Sequence, residues 1–407
     1  MERIVVAYSG GLDTSVAIRW LAEQYSAEIV SVTLDIGQGR ELADVRERAL
    51  ALGAVRAHVI DAREEFVTQY LLPALQAGAL YEDRYPLATA LARPLVAKRL
   101  VEVAKMERAT AVAHGCRGKG NDQIRLDVSA RALDPSIKII APARMWEMSP
   151  AETLEYAHAR DLAVPPAGAE SAYSIDANLW GRSIECGVLE DPWAEPPEDI
   201  YQPTRAPQDG PDEPAYVEIG FESGVPVTAN GIAMSMLELI ESLDTIAGAH
   251  GVGRIDMVEN RLIGIKSREV YEAPAALVLH TAHRELERFV IARDLERLKH
   301  DLGRTYADLV YNGLWFSPLR RALQAFVDTA LEVATGEVSV ELYKGRAVAV
   351  GRTSPQTLYR AQLASFDMAG YRPSDAEGFI RLFGLPLATA AQRGAANRKP
   401  DEVVAGA

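Results

Sequence analysis

The start of the chain constrains the fold more than any other stretch. Residues 3–8 are apolar and rich in β-branched side chains, which predicts a buried strand. Residues 16–21 place their apolar side chains along one face of a helix. Residues 9–15, between them, contain two glycines and three hydroxyl side chains. A loop of this kind leaves backbone N–H groups without partners at the positive end of a helix dipole, so it predicts an anion-binding site.

This loop differs from the two most common phosphate-binding loops. It lacks the Gly-Lys-Ser/Thr ending of a P-loop and the third glycine of a dinucleotide-binding fingerprint. Residues 9–14 instead match Ser-Gly-Gly-x-Asp-Ser/Thr, the signature of the PP-loop ATP pyrophosphatases, which cleave ATP between the α and β phosphates. The alternative is an ordinary turn in which Asp13 or Thr14 caps the helix. The sequence leaves open whether Asp13 is a cap, a phosphate partner or a metal partner.

Composition and charge narrow the class of protein. The chain has 407 residues, of which 48% are hydrophobic, so two or three domains with substantial cores are expected. No apolar run reaches membrane-spanning length, and the first strand leaves no room for a signal peptide. Cys116 and Cys186 have no metal-binding or redox spacing. The net charge of −14 argues against a general nucleic-acid partner, although it leaves a local basic groove open. These features predict a cytoplasmic protein that binds neither membrane nor nucleic acid.

Through residue 165 the pattern alternates between strands and helices. Further strands are predicted at residues 28–33, 57–60, 111–114 and 137–140. Helices are predicted at residues 41–52, 64–75, 91–105, 123–133 and from 150 onward. Pro94 is expected in the first turn of its helix, and Ser149 with Glu152 forms a capping box. Such repeats predict an α/β domain with a doubly wound, mostly parallel sheet, which binds ligands at the carboxyl ends of its strands.

The remainder of the chain has a different character. Prolines crowd residues 164–215, which predicts crossover and surface loops. Hairpins are predicted at residues 218–227 and 338–351, and helices at residues 235–247 and 284–303, a mixture that indicates an α+β domain. The Ala/Arg/Gly-rich end is expected to be a short arm or disordered. The expected domains are therefore residues 1–165, 166–366 and 367–407.

A second glycine-rich loop, at residues 114–125, also follows a strand and opens a helix. It repeats the anion-site geometry of the first loop, and its glycines permit close approach of the backbone to a ligand. Lys119 is placed to meet phosphate, and Arg125 is suited to grip a carboxylate. The alternative is a solvated connector with Asn121 as the N-cap of the helix. Taken alone, this loop favours neither interpretation.

Taken together, the two loops closely resemble those of the argininosuccinate synthase family of PP-loop enzymes. Residues 7–15 match the family throughout, and residues 118–123 match it largely. Further matches to the family are residues 35–38, 81–85, 173–176, 251–256, 258–261, 266–268 and 271–274. The resemblance extends over roughly residues 3–380.

The resemblance implies both a fold and a reaction. The fold is an adenine nucleotide α-hydrolase-like ATP-binding domain, a synthetase domain and a C-terminal arm through which a homotetramer forms. In the reaction, citrulline, aspartate and ATP give argininosuccinate, AMP and pyrophosphate through a citrullyl-adenylate, and Mg²⁺ accompanies the ATP. This chemistry needs no covalent protein nucleophile, because positioning and charge neutralisation carry the rate.

The resemblance also assigns roles to residues. The ATP site comprises Ala7, Tyr8, Ser9, Gly10, Gly11, Leu12, Asp13, Thr14 and Ser15, with the backbone of Leu34 and Gly115 near the adenosine. Citrulline is expected to contact Tyr85, Asn121, Arg125, Ser174, Ser183, Glu259 and Tyr271. Aspartate is expected to contact Arg117, Asn121 and Asp122. No protein metal ligand is assigned.

Without the resemblance, simpler interpretations of several of these residues are favoured. Tyr85 and Tyr271 then are packing residues, Ser174 caps a segment, and Glu259 forms a surface pair with Arg254 or Arg261. His280 and His283 lie three positions apart on a predicted helix. No third ligand is near them in sequence, so packed or solvated histidines are favoured over a metal site.

The chain departs from the family pattern at two positions. Arg117 stands where the family usually has an aspartate-contacting threonine, and we expect Arg117 to remain near the aspartate site and help to bind it. Ala90 stands where many members have a citrulline-contacting serine, which Thr89 is placed to replace. Ser183 lies in a divergent setting, which makes its assignment weaker.

Two competing functions remain open at the level of sequence. One is another PP-loop enzyme, such as a tRNA thiolase or an asparagine-forming amidotransferase. The thiolase needs reactive cysteines, usually in spaced pairs, and a basic surface, and the amidotransferase needs an N-terminal cysteine nucleophile. None of these three features is visible in the sequence. The other is a regulator that holds ATP without turning it over, which gives the second glycine-rich loop no purpose.

Overall fold

The computed structural model describes residues 2–39, 42–118, 120–146, 148–164, 173–365 and 372–396. The chain divides into two compact units, Met1–Gln356 and Thr357–Ala407. Among the described residues, no helix is both long enough and apolar enough to cross a bilayer.

The first part of the larger unit is built around five parallel strands in the order β3-β2-β1-β4-β5. The strands are β1 (Arg3–Ala7), β2 (Glu28–Asp35), β3 (Arg56–Asp61), β4 (Ala111–Ala113) and β5 (Lys138–Ile140). The helices are α1 (Leu12–Tyr25), α2 (Leu42–Ala51), α3 (Arg63–Phe66), α4 (Leu72–Ala77), α5 (Ala88–Met106), α6 (Asp122–Leu133), α7 (Pro142–Met145) and α8 (Pro150–His158). A π-helical turn, Val67–Leu71, joins α3 to α4.

The apolar strands of this sheet are buried on both faces. In β1, Val5 packs into one hydrophobic cluster while Ile4 and Val6 pack into another. Because alternate side chains of a strand point to opposite faces, a continuous apolar run of this kind is suited to a sheet covered by helices on both sides. The chain order reverses between β1 and β4, which places a ligand crevice at the carboxyl ends of these two strands.

The rest of the larger unit contains two antiparallel sheets. One has the order β11-β12-β7-β6 and the other β10-β9-β8-β13-β14. Their strands are β6 (Ser174–Asn178), β7 (Gly181–Glu185), β8 (Ala215–Glu222), β9 (Val225–Ala229), β10 (Ile232–Ala233), β11 (Arg254–Asn260), β12 (Lys266–Glu272), β13 (Gly336–Tyr343) and β14 (Arg346–Thr353). The helices are α9 (Met236–Ala249), α10 (Pro274–Val290), α11 (Arg293–Tyr311) and α12 (Pro318–Ala330).

The predicted fold class is confirmed: a parallel-sheet nucleotide-binding domain precedes a domain with antiparallel sheets. The capping box at Ser149 is also present. Two predicted helices are wrong in detail. Helix α5 begins at Ala88, so Pro94 lies inside it rather than in its first turn. The helix expected at residues 284–303 is interrupted, because Ile291 and Ala292 have extended backbone between α10 and α11. No glycine or proline marks this break, and Ile291 is buried in the hydrophobic core there.

The smaller unit contains α13 (Ala361–Ala364), α14 (Pro373–Phe383) and α15 (Leu385–Ala396). Part of the end predicted to be a short arm or disordered is therefore helical, while residues 366–371 and 397–407 lie outside the described residues. Large apolar side chains on α14 and α15 are exposed within this unit, including Phe379, Leu382, Phe383 and Leu387.

Candidate active site

The first glycine-rich loop is shaped by backbone conformation and by one hydroxyl group. Gly11 is the N-cap of α1 in extended conformation, and Gly10 has a φ of +79°, a region that favours glycine. Thr14 Oγ1 donates to the Gly11 carbonyl at 3.2 Å and lies 3.1 Å from Ser9 Oγ. The alternative in which Asp13 or Thr14 caps the helix is therefore wrong. The N–H groups of the first helical turn have no acceptor within α1, which leaves them available to an anion.

The second glycine-rich loop lies directly against the first. Strands β1 and β4 are hydrogen-bonded neighbours, with Val6 opposite Ala113, so both loops leave the same edge of the sheet. Gly115 approaches so closely that a Cβ atom there would lie 2.7 Å from Thr14 Cγ2. Leu34 is the penultimate residue of β2, which lies on the other side of β1. The residues predicted to bind ATP thus lie at the ends of three adjacent strands.

Arg117 bridges the two loops. Its Nε donates to Asp13 Oδ2 at 2.7 Å and its Nη2 donates to Asp13 Oδ1 at 2.5 Å. This bidentate ion pair neutralises the Asp13 carboxylate in the first turn of α1, where an anion is expected to bind. Lys119, predicted to meet phosphate, lies outside the described residues.

Side chains of α6 and its surroundings hold the second loop in shape. Gln123 Nε2 donates to the carbonyl of Gly118 at 2.6 Å. His114 accepts from the N–H of Cys116 through Nδ1, so its Nε2 is the atom that donates to Asp127. Arg144 donates to both Gln123 and Asp127. The loop is therefore pre-organised by contacts within the protein.

Next to this loop lies a group of buried polar side chains centred on Glu259 of β11, which we call the Glu259 pocket. The carboxylate is buried and accepts from Tyr271 at 2.7 Å and from Tyr311 at 2.6 Å. Among the described residues no cation forms an ion pair with it. Burial, together with this carboxylate, raises the pKa of both tyrosines, so they remain hydrogen-bond donors. The simpler interpretation of Glu259, a surface ion pair with Arg254 or Arg261, is therefore wrong.

Two tyrosine stacks wall this pocket. Tyr85 stacks on Tyr271 with ring centroids 4.0 Å apart, and Tyr81 stacks on Tyr311 with centroids 3.6 Å apart. Tyr85 and Tyr271 are both buried. The hydroxyl oxygen of Tyr85 accepts from the N–H of Thr89 at 3.0 Å. The stacks fix the positions of the tyrosine hydroxyl groups, so these rings are not simply packing residues.

Asn121 and Arg125 join the second loop to the same pocket through Tyr311. Asn121 donates to the Tyr311 hydroxyl at 2.8 Å and accepts from the N–H of Leu262 at 3.1 Å. Arg125 Nε donates to the Tyr311 carbonyl at 2.8 Å, and its guanidinium lies over the Tyr311 ring. Asn121 does occupy the N-cap position of α6, as the alternative predicts, but its side chain forms no capping bond and contacts Tyr311 and Leu262 instead. Sequence reasoning missed Tyr311, since one tyrosine at the end of an amphipathic helix carries no local signal.

Asp122 is held by two arginines. It accepts from Arg93 at 2.8 Å and from Arg125 at 2.9 Å. Burial opposes its ionisation, but the two guanidinium groups lower the pKa of Asp122 to about 2. Arg93 also pairs with Asp176 of β6. Sequence reasoning did not single out Arg93.

The two predicted serines lie on the hairpin of β6 and β7. Ser183 Oγ is 3.4 Å from Thr89 Oγ1, and Ser183 pairs in the sheet with both Asp176 and Tyr271. It therefore borders the pocket. Ser174 is exposed and lies two residues before Asp176, on the same face of β6.

Within the described part of the chain, no group of three or more His, Cys, Asp or Glu side chains is arranged to hold a metal ion. His280 and His283 are buried, and His283 is bonded to Glu287 at 2.7 Å and to the carbonyl of Gly224. Burial lowers the pKa of His280 to about 3, so it is neutral. These histidines are packing residues.

A parallel sheet with two glycine-rich loops at its switch point, bordered by a polar pocket, defines an α/β nucleotide-binding enzyme. Residues 3–163 match the family described as the arginosuccinate synthase N-terminal HUP domain, and residues 173–390 match the arginosuccinate synthase C-terminal domain. The chain therefore belongs to the argininosuccinate synthase family.

Curated relatives agree with this placement. The chain is 55% identical to an argininosuccinate synthase of Symbiobacterium thermophilum over 95% of this chain and 96% of the relative. It is 54% identical to one of Bacillus cereus over the same shares. The function follows from the family: ATP-dependent ligation of citrulline and aspartate into argininosuccinate, with formation of a C–N bond and release of AMP and pyrophosphate, in arginine biosynthesis.

Proposed function

We propose that the two loops and the Glu259 pocket form one active site in which ATP, citrulline and aspartate meet. The observation that carries this proposal is the continuity of contacts through the second loop. At one end, Gly115 touches Thr14 of the first loop. At the other end, Asn121 donates a hydrogen bond to the Tyr311 hydroxyl, which in turn donates one to Glu259. A ligand on the loops and a ligand in the pocket would therefore be neighbours.

ATP would place its phosphates against the N–H groups at the start of α1. Residues 7–15 would surround them, and the backbone of Leu34 and Gly115 would lie near the adenosine. The glycines allow the close approach, and the helix dipole favours the negative charge.

Citrulline would bind in the Glu259 pocket. The buried carboxylate of Glu259 has two neutral donors and no described cationic partner, so an α-ammonium group would complete its pairing. Arg125 uses Nε and Nη1 within the protein, which leaves Nη2 for the citrulline carboxylate. Tyr85, Ser174 and Ser183 would supply further directional hydrogen bonds.

Aspartate would bind between the pocket and the first loop. Asp122 would receive its ammonium group, with Asn121 and Arg117 contacting its other polar atoms. Because Asp122 is ionised across the working pH range, it serves as a charge partner rather than as a proton acceptor.

In this arrangement the chemistry proceeds by two displacements. The ureido oxygen of citrulline attacks the α-phosphorus, and the bond to the bridging oxygen breaks so that pyrophosphate leaves with the electron pair. The aspartate amine, after losing a proton to water, attacks the ureido carbon, and the bond from that carbon to the oxygen of the adenylate breaks so that AMP leaves with the electron pair. The protein contributes alignment of three ligands and N–H groups aimed at the departing charge.

We propose that Mg²⁺ enters with ATP. The described residues offer no dedicated cage, and this suits an ion that usually keeps phosphate and water ligands with one or two carboxylates. Asp13 is the described carboxylate at the phosphate loop. When bound, the ion would neutralise phosphate charge.

The reaction is tested by measuring pyrophosphate release from ATP with each amino acid alone and with both. Sustained release is expected only when citrulline and aspartate are both present. Sustained release with ATP alone, or with either amino acid alone, would contradict the proposed site.

Replacing Arg117 with Thr is expected to raise the KM for aspartate about tenfold, because a cationic donor is removed from the proposed aspartate site. The measurement is the steady-state KM for aspartate at saturating ATP and citrulline. Arg19→Thr is the matched control, since Arg19 forms an exposed pair with Glu23 on α1. An unchanged or lower KM for aspartate in Arg117→Thr would remove Arg117 from the aspartate site.

We also propose a homotetramer that works in the cytoplasm. The exposed apolar side chains of α14 and α15 would be covered by other subunits. The arm formed by the end of the chain would thus serve assembly rather than catalysis.

A further inference from the structure

Arg93 lies in the second turn of α5, among neighbours in the sequence that are almost all apolar and buried. Ala90, Leu91, Ala92 and Pro94 surround it in the sequence and pack into the core. Taking an arginine out of water at such a position costs free energy that an apolar residue would avoid. Its presence therefore requires a compensating role.

The contacts of Arg93 indicate what that role is. Its Nη2 donates to Asp122 Oδ2 at 2.8 Å and also to Asp176 Oδ2. One nitrogen atom thus joins the first residue of α6 to the middle of β6. The other oxygen of Asp122 accepts from Arg125. Both oxygens of Asp122 are therefore fixed by guanidinium groups.

These contacts connect two substrate sites. Asp176 shares a face of β6 with Ser174 and pairs in the sheet with Ser183, which are both assigned to citrulline. Asp122 is assigned to aspartate. Arg93 touches neither assigned serine and lies outside the motifs matched to the family. The structure shows that Arg93 lies between the proposed citrulline and aspartate sites, which the sequence alone did not indicate.

We propose that Arg93 is a positioning residue that fixes the Asp122 carboxylate for the ammonium group of aspartate and sets β6 at the matching distance for citrulline. The inference rests on the proposed role of Asp122. It assigns Arg93 no direct contact with either substrate.

The charge environment of Asp122 makes the proposal testable by pH. Arg93 faces it from α5, Arg125 from α6, and the Cys116 thiol from the loop before α6. Burial raises the pKa of Cys116 to about 12, so this thiol stays neutral. Asp176 is the remaining nearby charge and shares Arg93. Without Arg93, burial and Asp176 would both raise the pKa of Asp122.

The experiment compares pH profiles of kcat/KM for aspartate at saturating ATP and citrulline. Arg93→Gln is expected to raise the KM for aspartate at least about tenfold at pH 7.5, and this loss is expected to grow as the pH is lowered. The direction follows because a raised pKa leaves Asp122 neutral, and unable to hold an ammonium group, at pH values where the unaltered enzyme keeps it charged.

Two further variants separate charge from geometry. Arg93→Lys keeps a cation, so its KM for aspartate is expected to rise, but this loss is not expected to grow as the pH is lowered. Asp176→Asn leaves the pair between Arg93 and Asp122 intact and should raise the KM for citrulline more than that for aspartate. Thermal unfolding of each variant shows whether it is folded. Arg93→Lys keeps the test available if Arg93→Gln does not fold.

Two results overturn the inference. One is a KM for aspartate at pH 7.5 that is unchanged in a folded Arg93→Gln enzyme. The other is an Arg93→Lys enzyme with an unchanged KM for aspartate. Asp122→Asn distinguishes these from failure of the proposed site, because an unchanged KM for aspartate in that variant would remove Asp122 itself from the aspartate site.

Discussion

Replacing Glu259 with Gln is expected to lower kcat/KM for citrulline by about 30- to 3,000-fold, while the KM for ATP stays within about twofold. Removing one partner of a buried, hydrogen-bonded charge pair costs about 2–5 kcal/mol, and about 1.4 kcal/mol corresponds to a factor of ten. Glutamine keeps the shape and can still accept from one of the two tyrosines that bond Glu259. The loss therefore reports the missing charge. Steady-state kinetics with citrulline as the varied substrate provide the measurement.

Variants that lack one tyrosine hydroxyl group serve as controls for this prediction, because each should have a smaller effect than Glu259→Gln. Tyr271→Phe and Tyr311→Phe each remove one donor to Glu259 but keep the carboxylate and the stacked rings. Each should cost less than Glu259→Gln, because a neutral hydrogen bond contributes about 0.5–1.5 kcal/mol. Tyr311→Phe also removes the acceptor for Asn121, so it should be the more harmful of the two.

A substrate analogue tests the same point without altering the fold. A citrulline analogue that lacks the α-amino group has nothing to offer Glu259. The unaltered enzyme and Glu259→Gln should therefore use this analogue equally poorly. If the variant loses as much activity towards the analogue as towards citrulline, then Glu259 supports the fold of the pocket and does not recognise the ammonium group.

The sequence predicted the parallel sheet and its two loops because their causes are local. A β-branched run followed by glycines and then an amphipathic stretch specifies strand, loop and helix within residues 3–21. The same pattern recurs before α6. The two loops touch because β1 and β4 are neighbours in the sheet. The sequence alone does not give this strand order, but ligand sites in doubly wound sheets usually lie where the strand order reverses.

Long-range pairings in the site had no such local cause. Tyr311 lies 52 positions from Glu259 and 190 from Asn121, yet it bonds both. Arg93 and Asp176 are 83 positions apart. The resemblance to a family supplied Glu259 and Asn121 but not the residues that hold them. Likewise, the pairing of Arg117 with Asp13 is specific to a chain with arginine at that position, so the family pattern could not indicate it.

The contact between the two loops leads to the second large effect. Gly115→Ala is expected to lower kcat/KM for ATP by about 10- to 100-fold, because misplacement of reacting groups by about 1 Å can cost a factor of about 100. The backbone at Gly115 does not have a positive φ, so alanine adds no backbone strain. The effect comes from the new Cβ, which would lie 2.7 Å from Thr14 Cγ2 and force the loops apart.

Thr14→Ser is the variant that removes the clash between the new Cβ at position 115 and Thr14 Cγ2. Serine lacks Cγ2 but keeps the oxygen that bonds the Gly11 carbonyl and lies near Ser9, so the first loop retains its shape. The double variant should therefore recover much of the ATP kinetics lost in Gly115→Ala, and a double-mutant cycle would show a favourable interaction between the two changes. Additive losses would mean that the spacing of the two loops does not limit ATP use. In that case the close approach at Gly115 would serve folding alone, and thermal unfolding of Gly115→Ala would register the cost in place of the kinetics.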